Sequence, residues 1–350
     1  MAYSSGKVVL GFSGGVDSSA SCLILQEKGF EVTGLYFDIN GNTEAPENIK
    51  KTAESLNIEL ITSDSSEIFK KYVKSPFCRL YEQGKTPNPC ILCNPNVKFK
   101  LLLDAADKIG AAYIATGHYA GITEADGIFR VKKGANILKD QSYMLCRLGQ
   151  NVLSRLILPL SDCTDKNTLR ELLKSKNIPC YSAKDSQDIC FIPDGDHVRF
   201  LLKEGCMNIK GNFIDKEGKV IAKHKGILNY TIGQRKGLGV AMGYPVFVTE
   251  IDPDSGNVVL GTGEDLRHNI VTVNQLFFSG MSFEEAKEKY NGKKLGIKLR
   301  YTVNDSPASL EFTDKDIITL LFDEPQRAPA PGQSAVFYDN DILIGTGFII

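Results

Sequence analysis

The stretch Ser13-Gly14-Gly15-Val16-Asp17-Ser18-Ser19 constrains this chain more than any other. Before it runs Lys7-Val8-Val9-Leu10-Gly11-Phe12, a short β-branched apolar run that reads as a buried strand. After it, Ala20 to Lys28 carries Leu23, Ile24 and Glu27 at helical spacing. The segment is therefore strand, glycine turn, helix. A helix start aims backbone N–H groups and a positive dipole end at whatever sits above the turn, which favours an anion. Gly14 and Gly15 let the backbone come close to that anion, and Ser13, Ser18 and Ser19 add hydroxyls. A plain turn with Asp17 or Ser18 capping the helix is the alternative for a lone Ser-Gly-Gly. The full run between strand and helix favours phosphate.

The pattern is not the common P-loop, which needs a lysine after its last glycine; here Val16-Asp17 follows. An aspartate without that lysine suggests a site built around pyrophosphate and a metal ion. The stretch resembles the PP-loop of ATP pyrophosphatases, which split ATP into AMP and pyrophosphate and adenylate a substrate oxygen.

Downstream, Glu31–Phe37 and Ile58–Ile61 read as strands, and Ala45–Leu56 and Ser65–Val73 as helices. Alternation of this kind implies a parallel sheet with helices on both faces and ligands beyond the carboxyl ends of its strands. Gly84 to Pro95 reads as a loop, because three prolines oppose a helix or central strand. The helix Val97–Ile109, the strand Ala111–Thr116 and a hairpin over Ile122–Lys133 follow, then a helix from Thr164 or Asp165 to Ser175. Tyr181–Ile192 reads as loop turning into strand. From about Phe200 the rhythm becomes short strands with turns at 215–218, 252–257 and 339–341, an all-β tail broken by a helix over Ser282–Tyr290. The runs Val246–Thr249 and Lys298–Tyr301 alternate as strands do.

No apolar run reaches membrane-spanning length and no basic-then-apolar leader opens the chain, so a cytoplasmic protein with no membrane partner is expected. Nine irregularly spaced cysteines argue against a secreted disulfide framework and for reduced thiols, some of them chemical. A net charge of −1 gives no global footprint for nucleic acid, so any RNA contact must be local.

Cys90 and Cys93 form a C-x-x-C, and Cys190 lies far along the chain. A thiolate is the strongest side-chain nucleophile, and persulfide sulfur must ride on one. Two small apolar residues or half a zinc site are equal alternatives for the pair. Cys22, Cys146, Cys163, Cys180 and Cys206 read as core or incidental. His118 is a base, a ligand or a satisfied buried imidazole. Lys223-His224-Lys225, with Gln234-Arg235-Lys236, is a phosphate-contact patch or a solvated hairpin face. Tyr230 to Gly239 couples close-approach glycines to cations, and Arg300-Tyr301 sets a cation beside an aromatic suited to stacking on an unpaired base.

Taken in order, the Ser13–Ser19 loop, Thr86-Pro87-Asn88-Pro89 with Cys93-Asn94, Ala115–Tyr119, Lys139-Asp140-Gln141-Ser142-Tyr143, Asp185–Ile192 and Tyr230–Gly239 resemble the motifs of the bacterial tRNA-specific 2-thiouridylase (MnmA) family, essentially end to end. That family replaces the 2-oxygen of wobble uridine U34 by sulfur. The resemblance implies a Rossmann-like PP-loop domain over 1–197, a central β-rich domain over 198–268 and a C-terminal β-barrel over 269–350. It implies that Gly11, Phe12, Ser13, Gly14, Gly15, Val16, Asp17 and Ser18 hold ATP, with Phe37 and Gly117 near the nucleotide and Mg2+ accompanying it. It makes Cys190 the persulfide carrier and Cys93 the partner thiol, joined transiently in a Cys93–Cys190 disulfide, with Asp17 also catalytic. Asn88, Pro89 and Cys90 fall at the target base, and Lys139, Asp140, Gln141, Arg300 and Tyr301 at the tRNA. A cysteine desulfurase or sulfur-relay protein is the implied donor.

The chain departs from that pattern in three places. Phe37 replaces a frequent methionine, and the segment from Phe37 to Ala45 is short. Cys90 stands where the family usually has an aspartate, and a thiol is the poorer proton relay at neutral pH. The substitution also gathers Cys90, Cys93 and Cys190 as a secondary reading, ligands of an iron–sulfur cluster. Two rival functions are an adenylating synthetase for a small molecule, which needs no thiols, and a non-catalytic RNA-binding protein.

Overall fold

The computed structural model describes residues 5–42, 44–183, 189–313 and 316–350. The chain divides into two compact units, each assembled from separated segments. The first takes 1–72, 90–187 and 341–344; the second takes 73–89, 188–340 and 345–350.

In the first unit, β1 (Lys7–Gly11), β2 (Glu31–Asp38), β3 (Glu59–Asp64), β4 (Tyr113–Ala115) and β7 (Leu156–Ile157) form a sheet of order β3-β2-β1-β4-β7. Every pairing in it is parallel. Val8, Val9 and Leu10 of the central β1 are fully buried, as expected of a strand covered on both faces. The order reverses at β1, with β2 on one side and β4 on the other, so the loops after β1 and β4 leave the sheet at the switch point. Helix α1 (Val16–Glu27) packs Val16, Ala20 and Leu23 into a core with Phe12, Ile49, Leu169 and Leu173. A hairpin, β5 (Ala120–Ala125) with β6 (Ile128–Lys133), adds Lys132 opposite Ile342.

In the second unit, β8 (Asn212–Ile214), β9 (Val220–Lys223), β10 (Phe247–Ile251) and β11 (Val258–Gly261) form a sheet of order β10-β11-β8-β9. The barrel strands are β12 (Arg267–Phe278), β13 (Lys294–Lys298), β14 (Ser306–Phe312), β15 (Ile318–Arg327), β16 (Ser334–Asp339) and β17 (Ile342–Ile349). They run β12-β15-β14-β13-β16-β17, and β12 pairs back on β17 to close the ring. The helix Phe283–Tyr290 is held by a capping box between Ser282 and Glu285.

Three local expectations are corrected. The stretch around Cys90 is helical, not loop: Pro89–Cys93 is an α-helix continued by a π-turn over Asn94–Lys98 and by the helix Phe99–Ile109. Pro89 opens that helix, where its missing N–H is no loss, and Pro95 falls in the wide π-turn. Helix also runs on past Val73, through a π-turn over Lys70–Lys74 into Ser75–Glu82. The third concerns strand ends. β13 stops at Lys298, leaving Arg300-Tyr301 beyond it, and Cys190 enters a turn rather than a strand.

Candidate functional site

The loop after β1 is ordered by its own hydroxyls. Ser18 Oγ donates to the Gly15 carbonyl at 3.1 Å and accepts from the Ser13 N–H at 3.4 Å, and the Gly15 N–H donates to Ser13 Oγ at 3.4 Å. Gly14 has φ +69°, and a Cβ there would lie 3.1–3.3 Å from Ile49, so the position demands glycine twice over. Gly15 caps α1 with no side-chain bond, so neither Asp17 nor Ser18 is the cap. The α1 start is left to the loop's contents.

Two further predicted residues meet this loop. A Cβ on Gly117 would sit 3.0 Å from the Asp17 carbonyl and 3.2 Å from the Ser18 nitrogen, and a Cβ on Gly11 would touch the Phe37 ring at 3.4 Å and Thr116 at 3.5 Å. The ends of β1, β2 and β4 thus converge on one cradle, holding Gly11, the Ser13–Ser18 loop, Phe37 and Gly117.

Asp17 is the cradle's carboxylate. Tyr119 Oη donates to its Oδ1 at 2.6 Å, and Lys166 Nζ donates to its Oδ2 at 2.8 Å. Tyr119 is buried and is itself pinned: its N–H donates to Gln141 Oε1 at 3.0 Å, and its carbonyl accepts from the Gln141 N–H at 2.8 Å. Lys139 Nζ lies 6.0 Å from the centre of the Tyr119 ring. Lys166 begins the helix Lys166–Ser175, whose cap is Asp165, accepting from the Asn167 N–H. Sequence reasoning missed Lys166, because nothing in its own neighbourhood marks it.

His118 bonds Thr116 Oγ1 through Nδ1 at 2.7 Å and stacks on Phe99. Burial, and secondarily Lys98, hold its pKa well below the ordinary imidazole value, which favours the satisfied imidazole over a proton-accepting base at neutral pH. Lys98 also acts on Cys90, whose residue surface is exposed but whose thiol is pushed up by desolvation; Lys98 opposes that shift. Asn94, one residue past Cys93, donates to the Met144 carbonyl at 2.6 Å and so ties this helix to the segment after the Lys139–Tyr143 motif.

Several predicted contacts are spent inside the protein. Asp140 is buried and accepts from the Gly134 and Ser142 N–H groups and the Ser142 hydroxyl, so it organises its own loop. Arg300 donates to the carbonyls of Ile232, at 3.4 Å, and Ala328, which fastens the Tyr230–Gly239 segment to the end of the barrel strand. His224 is buried, donating through Nε2 to the Gly256 carbonyl and accepting the Gly226 N–H on Nδ1, so neither a phosphate-contact patch nor a solvated hairpin face has it as its central residue. Tyr301 carries Lys298 Nζ 5.7 Å from its ring centre.

Asn88 and Pro89 belong to the second unit, and Cys90 and Cys93 to the first. Cys190 is exposed, in the second unit, between Ile189 and Phe191, which both pack on that unit's core. Phe191 meets Phe77 edge-on at 5.3 Å. Asp185 to Asp188 of the Cys190 motif lie outside the described residues. Cys78, which the cysteine reading passed over, packs on the same core as Cys206 and shares a thiol hydrogen bond with it.

Among the described residues, no three His, Cys, Asp or Glu side chains gather to hold a metal. An iron–sulfur cluster would need such a gathering of thiolates. Magnesium asks less, one or two carboxylates beside phosphate oxygens, and Asp17 is the carboxylate the cradle offers. No helix among the described residues is long and apolar enough to cross a membrane.

A parallel doubly wound sheet with a serine-glycine cradle at its switch point defines a nucleotide-binding α/β protein. Family profiles agree: one described as the tRNA methyl transferase HUP domain matches residues 6–194, the tRNA methyl transferase PRC-barrel domain 199–262, and the aminomethyltransferase beta-barrel domain 273–349. The chain is 42% identical to tRNA-specific 2-thiouridylase MnmA 1 of Clostridium tetani, over 98% of this chain and 96% of that protein. It is 40% identical to MnmA of Clostridium acetobutylicum, over 98% and 99% of the two chains, and 41% identical to MnmA 2 of Clostridium botulinum, over 99% of each. A solved 4-thiouridine synthetase–RNA complex with bound ATP overlaps only loosely, with a TM-score of 0.34 and 19% identity over 57% of this chain and 50% of that one. The chain belongs to the tRNA-specific 2-thiouridylase family.

Proposed function

We propose that the protein is an ATP-dependent tRNA sulfurtransferase that replaces the 2-oxygen of U34 by sulfur. The cradle carries the reading: Gly11, the Ser13–Ser18 loop and Gly117 form a pocket lip shaped for phosphates, with the Phe37 ring beside Gly11 for the base. In this reading the uridine O2 attacks the α-phosphorus of ATP and pyrophosphate leaves. The loop N–H groups stabilise charge building on the phosphates. Asp17 would hold a magnesium ion, which supplies further neutralisation when bound.

Sulfur then arrives as a persulfide on Cys190. Its terminal sulfur attacks C2 of the adenylated base and AMP departs with the former oxygen. Cys93 attacks the Cys190 sulfur of the persulfide, forming the Cys93–Cys190 disulfide and freeing the transferred sulfur; a reductant restores both thiols. Both cysteines are accessible or half-buried. Asn88, Pro89 and Cys90 are assigned to the target base, Lys139, Asp140, Gln141, Arg300 and Tyr301 to the tRNA, and a cysteine desulfurase or relay protein to sulfur supply. The division of the chain at 197/198 and 268/269 is proposed with them.

Mass spectrometry of tRNA nucleosides after incubation with ATP and a sulfide source tests the reading. The wild-type protein yields 2-thiouridine, and Cys190→Ser yields none while still releasing pyrophosphate when tRNA is added. Pyrophosphate release indifferent to tRNA would point to a small-molecule synthetase. No release at all would leave only RNA binding.

A further inference from the structure

The cradle lacks the lysine that phosphate loops usually carry, yet it holds an ammonium group. Lys166 Nζ sits 2.8 Å from Asp17, the second residue of α1, and its side chain is only 11% exposed. We propose that Lys166 is a catalytic residue, the cation that contacts the β- and γ-phosphates of bound ATP and steadies the departing pyrophosphate. This rests on the reading that the loop takes ATP.

Three observations carry it. A bare carboxylate at the mouth of a phosphate site repels its ligand, so Asp17 calls for cations beside it; magnesium would be one when bound, and Lys166 is the ammonium bonded to it among the described residues. Lys166 stands at the first position of its helix, and the first turn holds no acid. A cation there opposes the helix dipole, so helix stability does not explain its choice. The helix is fixed in place: Leu169 and Leu173 lie in the same core as Val16 and Ala20 of α1. The ammonium is therefore delivered to the lip of the cradle by a rigid element rather than by a flexible loop.

The test compares ATP with AMP, which shares the adenosine and α-phosphate but lacks the phosphates Lys166 would touch. Affinities are measured by calorimetry without tRNA, on wild-type protein, Lys166→Met and Lys166→Arg. Lys166→Met should weaken ATP roughly tenfold or more and change AMP less than about twofold, with Lys166→Arg recovering part of the loss. Lys166→Gln keeps a hydrogen-bond donor to Asp17 while losing the charge and should show the same lost preference for ATP over AMP, even if Lys166→Met folds poorly. Equal weakening of ATP and AMP, or no change in either, overturns the assignment and leaves Lys166 as a structural partner of Asp17. Wild-type protein that binds neither nucleotide overturns the ATP reading itself.

Discussion

Gly117→Ala is the sharpest test of the cradle, because the added methyl meets backbone rather than a side chain that can turn away. It would lie 3.0 Å from the Asp17 carbonyl carbon and oxygen and 3.2 Å from the Ser18 nitrogen. Carbon contacts settle near 3.5–4.0 Å, so roughly half an ångström must be found. The α1 side cannot easily supply it, since Val16, Ser18 and Ser19 are buried. Overpacking of this kind costs about 1–3 kcal/mol, which lowers the melting temperature by roughly 2–12 °C in a domain of this size. The larger effect falls on the ligand. A loop N–H moved by that much loses a hydrogen bond to a charged phosphate, about 1.5 kcal/mol, which is roughly tenfold in ATP affinity. Gly110→Ala is the matched control: φ is +67° with nothing within 4 Å, so it carries backbone strain of about 1–2 kcal/mol and no collision. Calorimetric ATP binding and thermal melts on both variants decide. Gly117→Ala binding ATP within twofold of wild type, or Gly110→Ala weakening ATP as much, refutes the close-packed cradle.

Tyr119→Phe removes the hydroxyl that donates to Asp17 at 2.6 Å and keeps the ring; a bond to a charged acceptor is worth about 1.5–3 kcal/mol, so the KM for ATP in tRNA-stimulated pyrophosphate release should rise about tenfold while kcat falls less. His224 is locked neutral by donating to Gly256 and accepting from Gly226, and burial holds its pKa below the ordinary value. The unfolded chain therefore binds more protons than the folded one below about pH 6.5, and stability present above that pH is lost as pH falls; NMR should show His224 titrating below the ordinary imidazole midpoint of about 6.5, and half-protonation at or above it would contradict this. Ser282→Ala breaks the capping box on Phe283–Tyr290 and should cost about 1 kcal/mol of stability in denaturant melts, with pyrophosphate release unchanged.

How much of this was legible beforehand follows from the range of the interaction. The β1–loop–α1 unit and the Asp165 cap were readable because strand period, turn glycines and caps act over a few residues. The helix at Cys90 was not, because proline was weighed as a helix breaker when Pro89 occupies the one helical position that suits it. The internal bonds of Asp140 and Arg300 were hidden for a related reason. A charge inside a motif suggests a ligand, yet Asp-x-Ser is also the pattern of a side chain closing on backbone N–H groups two residues on, which is what Asp140 does with Ser142.

Lys166 lay furthest beyond reach: its partner Asp17 is 149 residues away. That distance has a consequence for how the site comes into being. A P-loop carries its lysine within the loop, so its charge is in place as soon as strand, turn and helix form. Here the loop brings a carboxylate, and the compensating ammonium comes on a helix that follows β7, the last strand added to the edge of the sheet. On the proposed reading, seating that helix in the α1 core through Leu169 and Leu173 is what sets the ammonium beside Asp17. The proposed ATP site would thus draw on the completed first unit rather than on its opening motif alone, because the motif supplies the carboxylate and a distant helix supplies the cation bonded to it.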